Sequence, residues 1–338
     1  MRFRNALPLL LAQILVVLIN ACAPRIQDPG PRADTPMPPS LTDIHFIATD
    51  GTQLPLRRWL PSTTPHTVIV TLHGFNDYSN AFAEIGPQLA ENGIATLAYD
   101  QRGFGASGQA GIWPGVDQLR ADARDAVHAA RDAYPDAKVY ALGESMGGAV
   151  LMSAWAETPL DVDGLILVAP AVWGRELMPF YQTMSLWLFA HTVPWMQLTG
   201  QGIKRNPSDN LEMLHALGRD PLVIKNTRVD ALWGIINLMD QALDAAHAFD
   251  APAFLLFGAN DDIVPPEASR RMLARLPPAP ARVRRIAVYD AGYHMLLRDL
   301  QSDLVLRDIL SWVEHPARAL PSGADTHEPE GRLSHRMN

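Results

Sequence analysis

The chain is nearly free of cysteine: among its 338 residues Cys22 stands alone. A single cysteine cannot close an internal disulfide, so the fold must rest on its apolar core. A basic stripe is also missing. With a formal net charge of −8, the electrostatic footprint of a nucleic-acid binder is absent, and the acidity implies only a soluble, non-adhesive surface. No apolar run reaches the roughly 20 residues that a bilayer-spanning helix needs. The longest, Ala6 to Ile19, is interrupted by Gln13. No internal repeat is present, which sets aside repeat architectures.

What is there begins with the leader. Arg2 and Arg4 precede the Ala6–Ile19 run, which has the length of a signal-peptide apolar region. Ile19-Asn20-Ala21-Cys22 follows directly. This resembles the bacterial lipoprotein lipobox, in which the cysteine is lipidated and becomes the new N-terminus. A plain secretory signal with an incidental cysteine is the competing reading. The resemblance implies a lipoprotein signal peptide over residues 1–21, lipid attachment at Cys22, and a lipid-anchored protein of the cell envelope. Ala23 after the cysteine fits sorting to an outer membrane, facing the periplasm. Residues 22–41 carry Pro24, Pro29, Pro31, Pro36, Pro38 and Pro39, a density that favours an extended, semi-rigid tether. Residues 316–338 are polar with no apolar period and are expected to be a disordered tail.

Between these ends strands and helices alternate. Ile44–Phe46 and Leu54–Trp59 flank the turn Asp50-Gly51 and predict an antiparallel hairpin. Thr67–Leu72 is a continuous β-branched run, as in a parallel strand buried on both faces. A helix over Ala81–Asn92 should stop at Gly93. Ile94–Tyr99, Lys138–Leu142 and Leu165–Val168 read as further strands, with helices over Val116–Tyr134 and Ser145–Ala156. The alternation breaks over residues 171–249, which read as helical, rich in Met and Trp, with no good strand. It resumes with strands Ala253–Phe257 and Val283–Tyr289 and helices Pro266–Leu276 and Leu300–Glu314. The expected class is α/β: a mostly parallel, doubly wound sheet over residues 42–170 and 250–315, with residues 171–249 as a helical lid above the strands' carboxyl ends.

Four segments at such strand ends carry chemistry. Gly143-Glu144-Ser145-Met146-Gly147 fits G-x-S-x-G, a strained strand-to-helix turn that exposes a serine at a helix N-terminus. The bare pattern arises by chance in about one chain in ten of this length, so its place between a predicted strand and a predicted helix decides. His73-Gly74-Phe75 follows the Thr67–Leu72 strand, where the second oxyanion donor belongs. The N–H groups of Phe75 and Met146 are the expected pair, and His73 reads as a brace for the loop. Asp261 or Asp262 follows Ala253–Phe257; one of the two must be an ordinary turn carboxylate, a role assigned to Asp262, with Asp290 as the runner-up acid. His294 follows the last strand and can reach Ser145 across the top of the sheet, in the chain order Ser, Asp, His.

With these residues in hand the sequence resembles the monoglyceride lipase and lysophospholipase branch of the α/β-hydrolases, over roughly Asp43 to Glu314. The segments that carry the resemblance are residues 73–75, 99–108, 143–148, 258–265 and 291–296. It implies a nucleophile at Ser145, its acid at Asp261, its histidine at His294, and a mainly structural Asp100–Ser107 loop. Glu144 stands where many members have histidine. The resemblance further implies a serine carboxylic ester hydrolase, acting on esters such as monoacylglycerol or lysophospholipid through an acyl-enzyme. It calls for no metal or organic cofactor. Trp173, Phe180 and Trp187 in the lid are the expected acyl-chain contacts, although a small lid also needs apolar residues for a core of its own. Two rivals remain open: a peptidase or thioesterase using the same triad, and an idle scaffold lipoprotein. Oligomeric state is not legible.

Overall fold

The computed structural model describes residues 23–200, 205–279, 284–326 and 333. Among these, nine strands form one sheet in the order β1-β2-β3-β5-β4-β6-β7-β10-β11. The first three, β1 (Ser40–Leu41), β2 (His45–Ile47) and β3 (Gln53–Trp59), are antiparallel to their neighbours. The other six, β4 (Thr67–Leu72), β5 (Ile94–Tyr99), β6 (Lys138–Glu144), β7 (Gly164–Val168), β10 (Ala253–Gly258) and β11 (Arg284–Tyr289), run parallel. Every residue of β4, β5, β7 and β10 is buried. That is why these strands carry no charge and show no apolar–polar alternation: helices cover both faces.

On one face, α2 (Val116–Ala133) and α3 (Met146–Glu157) pack with α7 (Pro266–Arg275). On the other, α1 (Ile85–Glu91) and α8 (Ser302–Glu314) pack with Trp312 at the centre, its ring 5.7 Å from those of Tyr140 and Phe254. The helix expected over Ala81–Asn92 is in two pieces, a 3₁₀ turn at Ser79–Phe82 and then α1. It does end as expected, with Gly93 at φ +76°, a conformation that glycine adopts at little cost.

Residues 171–249 depart from the expected all-helical lid. They carry α4 (Phe180–Thr192), α5 (Leu211–Arg219) and α6 (Val229–Ala245), but also a two-stranded ribbon, β8 (Gln197–Thr199) with β9 (Asn226–Arg228). Three-residue strands are too short to show a period of two in sequence. Helix α6 is not part of a detached layer either. Ile235, Leu238, Ala242 and Leu243 join the same buried cluster as Val150 and Leu165, so α6 is a core helix and α4 and α5 form the outer layer.

Residues 23–41 and 316–326 are also better packed than their composition suggests. The proline-rich segment lies along the body: the Gln27 N–H donates to Trp113 O at 3.0 Å, the Arg32 N–H to Asp50 O at 2.6 Å, and the Met37 N–H to Thr49 O at 3.0 Å. Proline blocks helix but leaves its neighbours free to bond a body already in place. After α8, residues 316–326 fold back on the sheet edge rather than trail away. Leu320 and Ala324 are buried, Arg285 Nη1 meets Asp325 Oδ2 at 2.5 Å, and the Val288 N–H donates to Ala324 O. Among the described residues no helix is long and apolar enough to cross a membrane. Cys22 and the leader lie outside the described residues.

Candidate active site

The turn from β6 into α3 is fixed by sterics. Ser145 adopts φ 52°, ψ −110°, a strained conformation for an L-residue with a side chain. Glycine is needed on both sides of it. A Cβ on Gly147 would lie 2.1 Å from Leu72 O of β4, and one on Gly143 would lie 2.4 Å from the Gly147 carbonyl carbon. The strand and the helix behind the serine therefore touch through backbone. The strain is held by the sheet: the Ser145 N–H donates to Val168 O and its carbonyl accepts from Ala171 N and Ala149 N.

The sheet order brings the other strand ends alongside. β4 lies next to β6, while β7 separates β6 from β10, with β11 beyond. His294, on the loop after β11, places Nε2 2.9 Å from Ser145 Oγ and Nδ1 2.8 Å from Asp261 Oδ2. The second carboxylate oxygen of Asp261 accepts the N–H groups of Ile263 and Val264 at 2.8 and 3.0 Å, which fixes the plane of the carboxylate. His294 is buried. Burial disfavours its charged form, but the charge and hydrogen bond of Asp261, with Glu144 behind them, outweigh burial and hold its pKa above the ordinary value. Of the three carboxylates weighed from the sequence, Asp261 is the one on the imidazole. Asp262 presents its carbonyl to Arg205, and the Asp290 carbonyl accepts from Asn260.

The loop after β4 reaches over the serine. A Cβ on Gly74 would sit 3.4 Å from Ser145 Cβ, so the backbone of residues 74–75 passes beside the hydroxyl. Met146 opens α3, so its N–H belongs to a helix's first turn, where N–H groups have no acceptor within the helix. His73 is a brace, as its position suggested. Its Nδ1 donates to Gly74 O at 2.8 Å and its Nε2 accepts from Gln101 N at 2.9 Å. Burial lowers its pKa, and that pair of bonds requires the neutral ring. Asp100 likewise serves structure, accepting from Ser79 N and Ala106 N. Arg102, next but one, is clasped by Asp122 at 2.7 Å and Asp50 at 2.8 Å.

The lid residues fare differently. Trp173 is half-buried and packs on the central core. Phe180 and Trp187, on α4, are 73% and 53% exposed. They line a shallow groove of about 280 Å³ with Arg175, Thr183, Met184 and Trp233, which contains none of Ser145, His294 or Asp261. Of the whole of α4 only Ala190 is buried, so its aromatic residues are not a core for the lid. Nearer the serine, Phe75 packs edge-on against Phe104 and tilted against Trp113. Beside it the Asn76 amide donates to Thr227 Oγ1 at 2.7 Å, and the Tyr78 hydroxyl to Asp220 Oδ2 at 2.7 Å. These links tie the loop after β4 to the insert. Only Asn76, at φ 65°, carried any signal in sequence, since asparagine is enriched in that conformation.

A hydroxyl, an imidazole and a carboxylate in line at hydrogen-bond distance, beside a helix N-terminus, form the arrangement that activates serine for acyl transfer. Comparisons with known proteins bear on the fold and the family. The structure resembles that of a monoacylglycerol lipase from Paleococcus ferrophilus, with a TM-score of 0.65 and 23% identity, covering 78% of this chain and 99% of that one. The fold is that of the α/β-hydrolases, as the sequence led us to expect. A monoglyceride lipase of Rattus norvegicus is 26% identical over 291 residues, 82% of this chain and 93% of its own. A monoacylglycerol lipase of Mycolicibacterium smegmatis (strain ATCC 700084 / mc(2)155) is 26% identical over 276 residues, 79% and 95% of the two chains. Residues 63–301 match the family described as serine aminopeptidase, S33, and the chain belongs to that family, Hydrolase_4.

Proposed function

We propose that the protein is a serine ester hydrolase acting on monoacylglycerol- or lysophospholipid-like esters through an acyl-enzyme on Ser145. The observation that carries this reading is the continuous relay Asp261–His294–Ser145, with spans of 2.8 and 2.9 Å, on a strained elbow. Ser145 Oγ attacks the ester carbonyl while His294 Nε2 takes its proton. Asp261 keeps the other ring proton on Nδ1 and balances the imidazolium. The N–H groups of Phe75 and Met146 receive the oxyanion, a contribution of about 3–4 kcal/mol each. His294 returns the proton to the leaving alcohol, and water, activated by the same histidine, releases the acid.

The relatives named as monoglyceride lipases support the substrate class, and so does an insert surface rich in exposed apolar side chains. An amide substrate is the competing reading, favoured by the family's peptidase name. The test sets wild type beside Ser145→Ala, against p-nitrophenyl esters of increasing acyl length, monoacylglycerol, lysophospholipid and an aminoacyl-anilide. Ester turnover lost in the variant is the expected result. Preferential anilide cleavage would replace the ester reading, and a folded wild type inert to all of these and to a fluorophosphonate probe would replace the enzyme reading with a scaffold.

The envelope location belongs to the same proposal. The Ile19–Cys22 pattern supports lipidation at Cys22 and anchoring at the outer membrane. Pro24 and Arg25 line a cavity of about 870 Å³ together with His191 of α4 and Trp233 of α6. Labelled fatty acid incorporated by wild type and not by Cys22→Ala is the expected outcome; equal membrane recovery of both proteins, unlabelled, would refute it.

A further inference from the structure

One buried charge cluster beneath the relay has no part in the steps above. Arg298 follows His294 on the loop after β11 and is buried. Its Nη1 lies 2.8 Å from Asp77 Oδ2 and its Nη2 3.1 Å from Glu144 Oε2. The two partners come from different segments. Asp77 is in the loop after β4, where its N–H donates to Gly74 O and its Oδ1 accepts from Tyr78 N at 2.9 Å. Glu144 is the last residue of β6 and precedes Ser145. The next residue along, Asp299, grips the backbone beside the histidine. Its Oδ2 accepts from Tyr293 N at 2.7 Å and its Oδ1 from Ser208 Oγ at 2.6 Å.

Burying one cation with two anions is a poor way to stabilise a fold. Apolar residues of similar volume commonly do as well or better. What such a cluster supplies is geometry. The planar fork of a guanidinium can hold two carboxylates at fixed separation, which the point charge of a lysine cannot. On the reading of Ser145, His294 and Phe75 given above, we propose that Arg298 is a positioning residue of the hydrolytic reaction, joining the loops that carry oxyanion donor, nucleophile and base. It acts through Asp77 and Glu144 and needs no contact with the substrate.

The experiment compares full-chain wild type, Arg298→Lys and Glu144→Gln. Reactive sites in each preparation are counted with a fluorophosphonate probe, kcat and KM are measured on p-nitrophenyl butyrate, and thermal midpoints are recorded. Misplacing reacting groups by about 1 Å can cost about 100-fold. For Arg298→Lys, kcat per titrated site should therefore fall by about 10- to 100-fold, with KM within about threefold. Glu144→Gln is isosteric and leaves the pair with Asp77 in place, so a smaller fall, about 3- to 10-fold, is expected. If Arg298→Lys does not fold, Glu144→Gln carries the test alone. A lowered thermal midpoint with kcat per titrated site unchanged would overturn the proposal and reduce the cluster to a structural brace. A wild type that neither labels nor turns over ester would overturn the hydrolase reading itself, and the positioning role with it.

Discussion

Replacing Asp261 by asparagine tests the relay more sharply than removing the serine, because the structure dictates which way the new amide must face. One oxygen of Asp261 accepts two backbone N–H groups, those of Ile263 and Val264. An amide NH2 cannot take that place without setting donor against donor twice. Its oxygen must therefore sit there, and its NH2 must face His294 Nδ1, now 2.8 Å from Oδ2. Nδ1 is then forced to accept, the ring proton moves to Nε2, and the imidazole can no longer take the proton of Ser145. The protein should fold as before, since both backbone bonds survive. Imposing that tautomer on a serine triad costs about 10⁴-fold in kcat, equivalent to about 5 kcal/mol of barrier. Steady-state turnover of a p-nitrophenyl ester, normalised to folded protein by near-ultraviolet circular dichroism, measures it. Asp161→Asn, on the exposed Asp161 far from the relay, is the control and should stay within about twofold of wild type, as surface changes usually do. An Asp261→Asn protein within about tenfold of wild type would refute the argument, because the wrong tautomer cannot be that active.

Other perturbations read other parts of the argument. Ester hydrolysis should fall in acid with a midpoint above the ordinary histidine value of 6.5. His294 must be neutral to act as base, and against its burial and the charge of Arg298, Asp261 and Glu144 hold its proton on. Glu144→Gln should move that midpoint down, and a kcat/KM profile in which it stays put would deny the coupling. Gly147→Ala should cost about 1–3 kcal/mol or more by overpacking, seen in urea unfolding, since the new Cβ meets Leu72 O at 2.1 Å; wild-type stability would mean that the elbow can relax. A chain beginning at residue 38 gives up the Gln27–Trp113, Arg32–Asp50 and Met37–Thr49 backbone bonds. At about 0.5–1.5 kcal/mol each, it should be less stable than one beginning at residue 23 by roughly 2–4 kcal/mol, and equal thermal midpoints would show that the segment is not docked in solution.

The parallel core was legible because burial on both faces leaves a plain mark. Thr67–Leu72 and Ala253–Phe257 are runs without a charge and without apolar–polar alternation, as strands buried on both faces are. The site was legible for a related reason. An elbow that brings strand and helix backbones to within 2.1 Å of a notional Cβ admits glycine alone at Gly147. The chemistry likewise restricts Ser145, Asp261 and His294 to the carboxyl ends of β6, β10 and β11. In each case the constraint acts on one residue and its sequence neighbours, so a reader of one dimension can find it.

What escaped was written in pairs of distant residues. Arg298 is held by carboxylates 221 and 154 positions away, and nothing in its neighbours separates it from any surface arginine. Its burial is the informative fact, and sequence records burial only through periodicity, which a loop does not have. The proline-rich segment misled for the converse reason. Its composition reports truly that it has no helix or sheet of its own, yet docking needs only that its N–H groups at Gln27, Arg32 and Met37 find carbonyls already fixed by the body. Disorder is thus a property of a segment and its surroundings together. The same holds for α4: its aromatics read as a lid core or a substrate mouth, and it buries only Ala190. A helix that exposes Phe180, Tyr181 and Trp187 to water carries a hydrophobic cost that no contact among the described residues removes. That surface is one on which a lipid would be favoured over water, and its cost in the isolated protein is the physical reason to look for function there.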